Sequence, residues 1–365
     1  MKNFSNIKVL ALILAYSSFA MADHHASSKH DSQVKYISYS QIGNPADVLE
    51  VKTKASRALN SGEVRVKVLA APINPSDLLQ ISGNYGVAAV LPARPGSEGV
   101  GRVTEVSPQV KNLKVGQLVL LAIGSTWAEE IVAPAEGFLP LPNLGTLSAE
   151  VIEQLAMSAV NPLTALLMLT SYGDIEEGQW IVQSAANSAV GGYVIQLAKQ
   201  RGIKTVNIVR REGLADDLMA KGADVVLIDG PNLTAQIAKA TNNASIMLAL
   251  DPVGGDTYGR LANSLGYGGT LVTYGVLSGK PATLDTGKVI FNDTRLRGFW
   301  LYKWYQTATT EEMQAAFGQV IPLIANGTLK ANIDSRYTVD QIKQAVTRAW
   351  EGGRNGKVLI VPNPL

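Results

Sequence analysis

Residues 179–211 read QWIVQSAANSAVGGYVIQLAKQRGIKTVNIVRR, and this stretch decides the fold. Trp180-Ile181-Val182 is an apolar run of buried-strand type, and Ser184 to Gly192 is a turn of mostly small residues. Val194, Ile195, Leu197 and Ala198 recur at helical spacing, and Lys204 to Val209 is a second strand. Strand, turn, helix, strand is the unit in which a helix N-terminus faces a pyrophosphate. The literal three-glycine fingerprint is absent; Ala185, Ser188 and Gly191 hold its three spaced positions. Small side chains there still let the backbone approach a phosphate, although a crossover with no ligand would share the pattern.

The second strand ends in Val209-Arg210-Arg211. An acid at that point bonds a ribose 2′-hydroxyl, whereas arginine accommodates a 2′-phosphate. A guanidinium fork takes phosphate oxygens two at a time, so Arg210 and Arg211 point to NADP(H). Solvated surface charges would look the same in isolation.

Working outward, the 365 residues suffice for two domains, and 46% hydrophobic with 17% charged residues is the balance of a globular enzyme. The formal charge is +2, but Lys2 and Lys8 fall in a leader with no acid, so the remainder carries 30 basic and 30 acidic residues. No basic stripe marks a nucleic-acid partner. There is no cysteine, and the three histidines, His24, His25 and His30, all precede the body of the chain. A body without Cys or His lacks the usual ligands of a catalytic zinc and the partners of Ser-His or Cys-His catalysis, so no metal site is expected.

The first residues have export character: Lys2 and Lys8, then the apolar run Val9 to Ala15, then Ala20-Met21-Ala22. The run is too short to span a bilayer, and residues 1–22 are expected to be a signal peptide cleaved after Ala22. That expectation implies a periplasmic protein with no membrane span after cleavage; a start at Met21 would imply a cytoplasmic one. A polar linker, 23–32, follows. From Val34 to about Val132 short alternating strands with Gly/Pro turns suggest a small, partly open barrel. Residues 148–172 read as helical, and strands at 225–228, 246–250 and 270–274 alternate with helices near 212–221, 231–240 and 255–265. This alternation is a doubly wound parallel sheet. Helices near 310–325 and 338–351 precede a last strand, Lys357 to Val361, expected to return to the first domain.

Three loops in the strand-rich region are dense in Gly, Pro and small polar residues: Ala71-Pro72-Ile73-Asn74-Pro75-Ser76-Asp77, Gly83-Asn84-Tyr85-Gly86, and Gly96-Ser97-Glu98-Gly99-Val100-Gly101. Together with Ala186-Asn187-Ser188-Ala189-Val190-Gly191, Val209-Arg210 and Arg297-Gly298-Phe299-Trp300-Leu301, they make the chain resemble the zinc-free medium-chain dehydrogenase/reductases. Within that family the resemblance is to the mitochondrial-type trans-2-enoyl-thioester reductases, with quinone oxidoreductases nearby, and it runs from roughly Val34 to Ile360.

The resemblance implies an α/β protein with a GroES-like catalytic domain, 33–157 and 302–365, and an NADP-binding Rossmann domain, 158–301. It implies NADPH as cofactor, no zinc, a role in fatty-acid metabolism, an acyl-thioester or other small-molecule substrate, and a homodimer. Tyr85 falls on the family's proton donor. A phenol suits that role in a body without His or Cys, because an enolate carbon is basic enough to take its proton. By the same resemblance Asn161 meets the cofactor and Thr164 lies close to the nicotinamide. Asn187, Ser188, Ala189, Val190 and Gly191 form the pyrophosphate turn, and Arg210 takes the 2′-phosphate with Arg211 in support. Tyr274, Gly275, Val276 and Leu277, with Phe299, Trp300 and Leu301, surround the nicotinamide, and Lys357 is a C-terminal cofactor contact. Two departures stand out. Arg210-Arg211-Glu212 replaces the family's Arg-x-Arg, setting a carboxylate where it would repel a phosphate. The loop Gly124 to Glu129 is shortened. The expected reaction is NADPH-dependent reduction of an activated C=C bond; reduction of a quinone or 2-alkenal, or a catalytically silent binding role, are the alternatives.

Overall fold

The computed structural model describes residues 32–122 and 124–365. The expected signal peptide, and the linker histidines His24, His25 and His30, lie outside the described residues. Two compact units emerge, one running to Ala159 and resuming at Ala308–Gly327 and Asn332–Leu365, the other comprising Val160–Thr307 with Thr328–Ala331.

The first unit begins with β1 (Gln33–Ser38), α1 (Pro45–Val48), β2 (Glu50–Ala55), β3 (Glu63–Pro72), α2 (Pro75–Ile81), β4 (Gly99–Val106), β5 (Leu118–Leu121), β6 (Glu130–Pro134), β7 (Phe138–Pro140) and α3 (Ala149–Leu155). The second unit contains α4 (Asn161–Ser171), β8 (Trp180–Gln183), α5 (Ala189–Gln200), β9 (Lys204–Val209), α6 (Ala215–Lys221), β10 (Val225–Ile228), α7 (Leu233–Ala240), β11 (Ile246–Asp251), α8 (Gly255–Asn263), β12 (Thr270–Thr273), α9 (Thr286–Phe291), β13 (Arg295–Gly298) and α10 (Leu301–Thr307). The chain then returns to the first unit through α11 (Thr310–Ala325), β14 (Ile333–Tyr337), α12 (Ile342–Trp350) and β15 (Lys357–Ile360).

In the second unit six parallel strands lie in the order β10-β9-β8-β11-β12-β13. The order reverses between β8 and β11. Both faces are covered. Leu233 and Ile237 of α7 join Tyr258 and Leu261 of α8 in one core cluster, while Ile195 of α5 and Leu218 of α6 form another. Strands buried on both sides are mostly apolar, as in Trp180–Val182 and Ile246–Leu250, and the buried polar side chains of Gln183 and Asn207 bond to each other at 2.8 Å. In the first unit a sheet runs β14-β15-β3-β4-β5-β7, with β6 also on β3. β15 pairs with β3, as expected of the last strand. Val64, Val66 and Val68 of β3 are buried with Ile342 and Val346 of α12 in the same core cluster.

The expected single helix over 148–172 is two helices, α3 and α4, separated by residues 156–160. Pro162 lacks the N–H that an unbroken helix would use, and the Ala159 N–H is taken at 2.9 Å by the Glu98 carboxylate. Segment 302–307 stays with the second unit as the continuation of β13 into α10. Lys330 is held there too, its N–H donating to Gln196 Oε1 at 2.8 Å and its carbonyl accepting from Gln196 Nε2 at 3.0 Å. No helix among the described residues is long and apolar enough to cross a membrane.

Candidate active site

The turn between β8 and α5 is shaped for an anion. Ala185 adopts a positive φ of 47°, and Ser188 caps α5 by accepting the Gly191 N–H at 3.1 Å. Gly191 has no room for a side chain: a Cβ there would lie 2.5 Å from the Ala186 oxygen and 2.7 Å from its carbonyl carbon. The chain therefore turns tightly enough to bring the N-terminus of a twelve-residue helix to the strand ends. Ala186 N–H donates to Ile208 O at 3.1 Å, tying the turn to the strand that ends beside Arg210. Arg210 and Arg211 are exposed and form no hydrogen bond or ion pair among the described residues. Glu212 is exposed as well, and no salt bridge among the described residues holds it.

The loop after β12 completes this side. Tyr274 N–H donates to Asp251 O at 3.1 Å, and Leu277 N–H to Pro252 O at 2.9 Å. The Tyr274 hydroxyl is buried beside the Ser188 side chain, and burial, with the Asp251 charge adding to it and Ser188 opposing it, pushes this phenol above its usual range. Val276 and Leu277 are exposed. Phe299 stacks edge-on against Tyr172 with centroids 6.3 Å apart, Trp300 is exposed and Leu301 half-buried. Asn161 and Thr164 are buried at the start of α4. A glycine cradle at a helix N-terminus and two guanidiniums with no ion pair among the described residues fit a phosphorylated dinucleotide such as NADPH.

On the first unit Tyr85 is half-buried, just after α2. Gly83, at φ 75°, makes the bend; a Cβ there would meet Ile42 Cγ2 at 2.6 Å. Asn84 N–H then donates to Leu79 O at 2.8 Å. Beneath the start of α2 lies a buried polar knot. Asn74 N–H donates to Asp77 Oδ2 at 2.8 Å, Asn74 Nδ2 donates to Glu98 Oε1 at 2.9 Å, and Lys357 Nζ donates to Ile73 O at 2.9 Å and Asn74 Oδ1 at 2.5 Å. Burial raises the Asp77 carboxyl to about 6 and that of Glu98 to about 7, and lowers the Lys357 ammonium to about 8. The ammonium opposes the rise at both acids.

The expected site residues thus fall into two groups. Asn187 to Gly191, Arg210, Arg211, Tyr274 to Leu277, Phe299 to Leu301, Asn161 and Thr164 belong to the second unit, and Tyr85 and Lys357 to the first. Two donors of Lys357 are spent inside its own unit, on Ile73 and Asn74 at the start of α2. Sequence alone assigns no role to Asn74, Asp77, Glu98 or Asp251. For Asp251 a signal exists in Asp251-Pro252-Val253-Gly254-Gly255, directly after an apolar strand. Among the described residues no group of three His, Cys, Asp or Glu side chains could hold a metal ion.

An open parallel sheet with an anion cradle at its reversal point defines a nucleotide-binding α/β protein. Residues 60–143 match the model of the alcohol dehydrogenase GroES-like domain, and residues 189–320 that of the zinc-binding dehydrogenases. The chain is 35% identical to the mitochondrial enoyl-[acyl-carrier-protein] reductase of Rattus norvegicus, covering 91% of this chain and 87% of the relative. The Homo sapiens counterpart is 34% identical over 89% of this chain and 88% of its own. Among solved structures, the complex of Etr1p with NADP and crotonyl-CoA has a TM-score of 0.82 and 28% identity, covering 90% of this chain and 100% of its own. A putative NADPH:quinone reductase from Bacillus thuringiensis follows at 0.80 and 29%, covering 91% and 100%. The chain belongs to the medium-chain dehydrogenase/reductase family, in the branch of the enoyl-thioester and quinone reductases.

Proposed function

We propose that this protein reduces the activated C=C bond of a trans-2-enoyl thioester to the saturated acyl thioester with NADPH. The Gly191 cradle beside Arg210 and Arg211, which form no ion pair among the described residues, supports the cofactor. The likeness to enoyl reductases, one of them solved with NADP and crotonyl-CoA, supports the acceptor. Bound NADPH supplies a hydride to Cβ. The electrons of the C=C bond then move onto Cα and the thioester as an enolate, and Tyr85 gives Cα its proton. The Tyr85 phenoxide recovers a proton from solvent, so each turnover consumes one hydride and one proton. Asn161 and Thr164 orient the nicotinamide end, and Tyr274 to Leu277 and Phe299 to Leu301 wall it off from water. Lys357 positions α2, and through it the Tyr85 bend, from inside the first unit. The test is NADPH oxidation measured side by side with a crotonyl-type thioester, a quinone and a 2-alkenal. Preference for the thioester upholds the reading, preference for either other acceptor replaces it, and no oxidation at all makes the chain a silent binding protein.

The second copy of a homodimer would sit on β13. That strand is the edge of its sheet, with all four residues exposed, and Ile290, Phe291, Leu296 and Trp300 are exposed near it in sequence. A solved relative from Candida tropicalis is an Etr1p/Etr2p heterodimer. Sedimentation at micromolar concentration checks this, and a monomer refutes it. For location we propose export, on the strength of Lys2, Lys8, Val9 to Ala15 and Ala20-Met21-Ala22. The curated relatives named above are mitochondrial. A native N-terminus at Asp23 in a periplasmic fraction supports export; a Met1 or Met21 start in the cytosol overturns it.

A further inference from the structure

Asp251 ends β11, and Ser184 follows β8, so the pair straddles the point where the strand order reverses. Ligands enter an open parallel sheet at the carboxyl ends of its strands at that point. Asp251 is fully buried there. Its Oδ1 accepts the Val253 N–H at 3.2 Å and pairs with the Ser184 hydroxyl, and its Oδ2 accepts the Gly254 N–H at 2.7 Å. Backbone N–H groups can only donate, so both oxygens face a pocket built for the carboxylate. No lysine or arginine among the described residues forms an ion pair with it, and the nearby Asp229 is held by Arg260 at 2.9 Å. The same residue ties down the next loop, since Tyr274 N–H donates to its carbonyl and Leu277 N–H to that of Pro252. Gly275 presses on Pro252, where a Cβ would lie 2.9 Å from the Pro252 oxygen.

Asp251 is a fully buried carboxylate held by three neutral donors and by no cation among the described residues, at the reversal point and under the Tyr274–Leu277 loop, and burial pushes it above its usual range. We propose that Asp251 is a positioning residue that holds the three strand-end loops together and that its charge favours the cationic, oxidised nicotinamide over the neutral, reduced one. The inference rests on the NADPH reading above. A nicotinamide ring carries a positive charge only when oxidised, and a charge in a poorly solvated crevice is felt more strongly than one in water. A purely structural knot would weaken both cofactor forms alike.

The test is the ratio of NADP⁺ to NADPH dissociation constants, measured by titration calorimetry and by fluorescence of the reduced ring, in wild type, Asp251→Asn and Ser184→Ala. Asp251→Asn is expected to weaken NADP⁺ on the order of 10-fold more than NADPH. Ser184→Ala keeps the charge and should weaken both by the same factor. If Asp251→Asn leaves the ratio unchanged, the charge role is overturned while the NADPH reading stands; if wild type binds neither form, the NADPH reading itself fails. Should Asp251→Asn not fold, the wild-type ratio is followed from pH 8 to 4.5. Protonation of Asp251 should remove its preference for NADP⁺. Tyr258 and Tyr274, both raised by burial, stay neutral over this range, and the phosphates are common to both forms. The same series in Glu98→Gln and Asp77→Asn removes the two carboxyls of the first unit that titrate in this window. A flat ratio overturns the inference.

Discussion

The bend that carries Tyr85 and the turn that opens α5 are held by opposite means. Behind the Tyr85 bend stand buried ionisable side chains: Asp77, Glu98 and Lys357 are all nearly inaccessible and share Asn74. The α5 turn has almost none. Its shape comes from backbone hydrogen bonds and from the absence of side-chain atoms at Gly191. Buried charges cost several kcal/mol each unless paired and hydrogen-bonded, so the first arrangement is sensitive to charge and pH. Small residues make the second sensitive chiefly to volume, its one buried charge being Asp251, which Ser184 meets at the strand ends.

Four substitutions probe that contrast. Tyr85→Phe should have the largest effect, lowering turnover on a 2-enoyl thioester by roughly 10²- to 10⁴-fold while NADPH affinity holds. Unaltered turnover would remove Tyr85 from the mechanism. Arg210→Ala should weaken NADPH by roughly 10- to 100-fold and NADH far less, since a charge-assisted bond to the 2′-phosphate is lost. Fluorescence titration with both cofactors decides it, and equal losses would mean that Arg210 does not read the phosphate.

Gly191→Ala is expected to cost about 1–3 kcal/mol of stability, because the new methyl meets backbone rather than a yielding side chain. It should weaken NADPH and NADH together, unlike Arg210→Ala. Denaturant unfolding with wild-type stability would show that the turn can open.

The smallest effect expected is a change of slope. Asp77 and Glu98 hold their protons to about 6 and about 7, above the ordinary carboxylate values of 3.8 and 4.5. Between those limits the folded chain binds protons that the unfolded chain has released, so their contribution to stability falls as pH rises from roughly 4 to 7. Lys357, lowered to about 8 from 10.5, acts in the opposite sense above pH 8. In Glu98→Gln the fall between pH 5.5 and 7.5 should be shallower than in wild type by urea unfolding. An identical slope would show that Glu98 does not titrate with folding.

Much of this was legible in the chain itself, and the reasons are local. Strands covered on both faces are mostly apolar, so Trp180–Gln183, Lys204–Val209 and Ile246–Asp251 could be placed from the sequence and fall in one parallel sheet, the buried amides of Gln183 and Asn207 bonding to each other. The small residues of the α5 turn, the paired arginines and the Gly-Asn-Tyr-Gly bend are each a few residues long, and their chemistry does not depend on distant partners. Tertiary structure decided the rest. β13 is an edge strand exposed at every residue, so it has no buried alternation to read. The helices α3 and α4 are separate because a carboxylate 61 positions earlier in the chain takes the Ala159 N–H. Lys357 turns its ammonium toward the Ile73 carbonyl, 284 positions away, and Asp251 gains meaning only where β11 lies beside β8. Periodicity records which face of an element is buried. It carries no record of which polar groups meet there, because those pairings are made by the fold and not by neighbours in the chain.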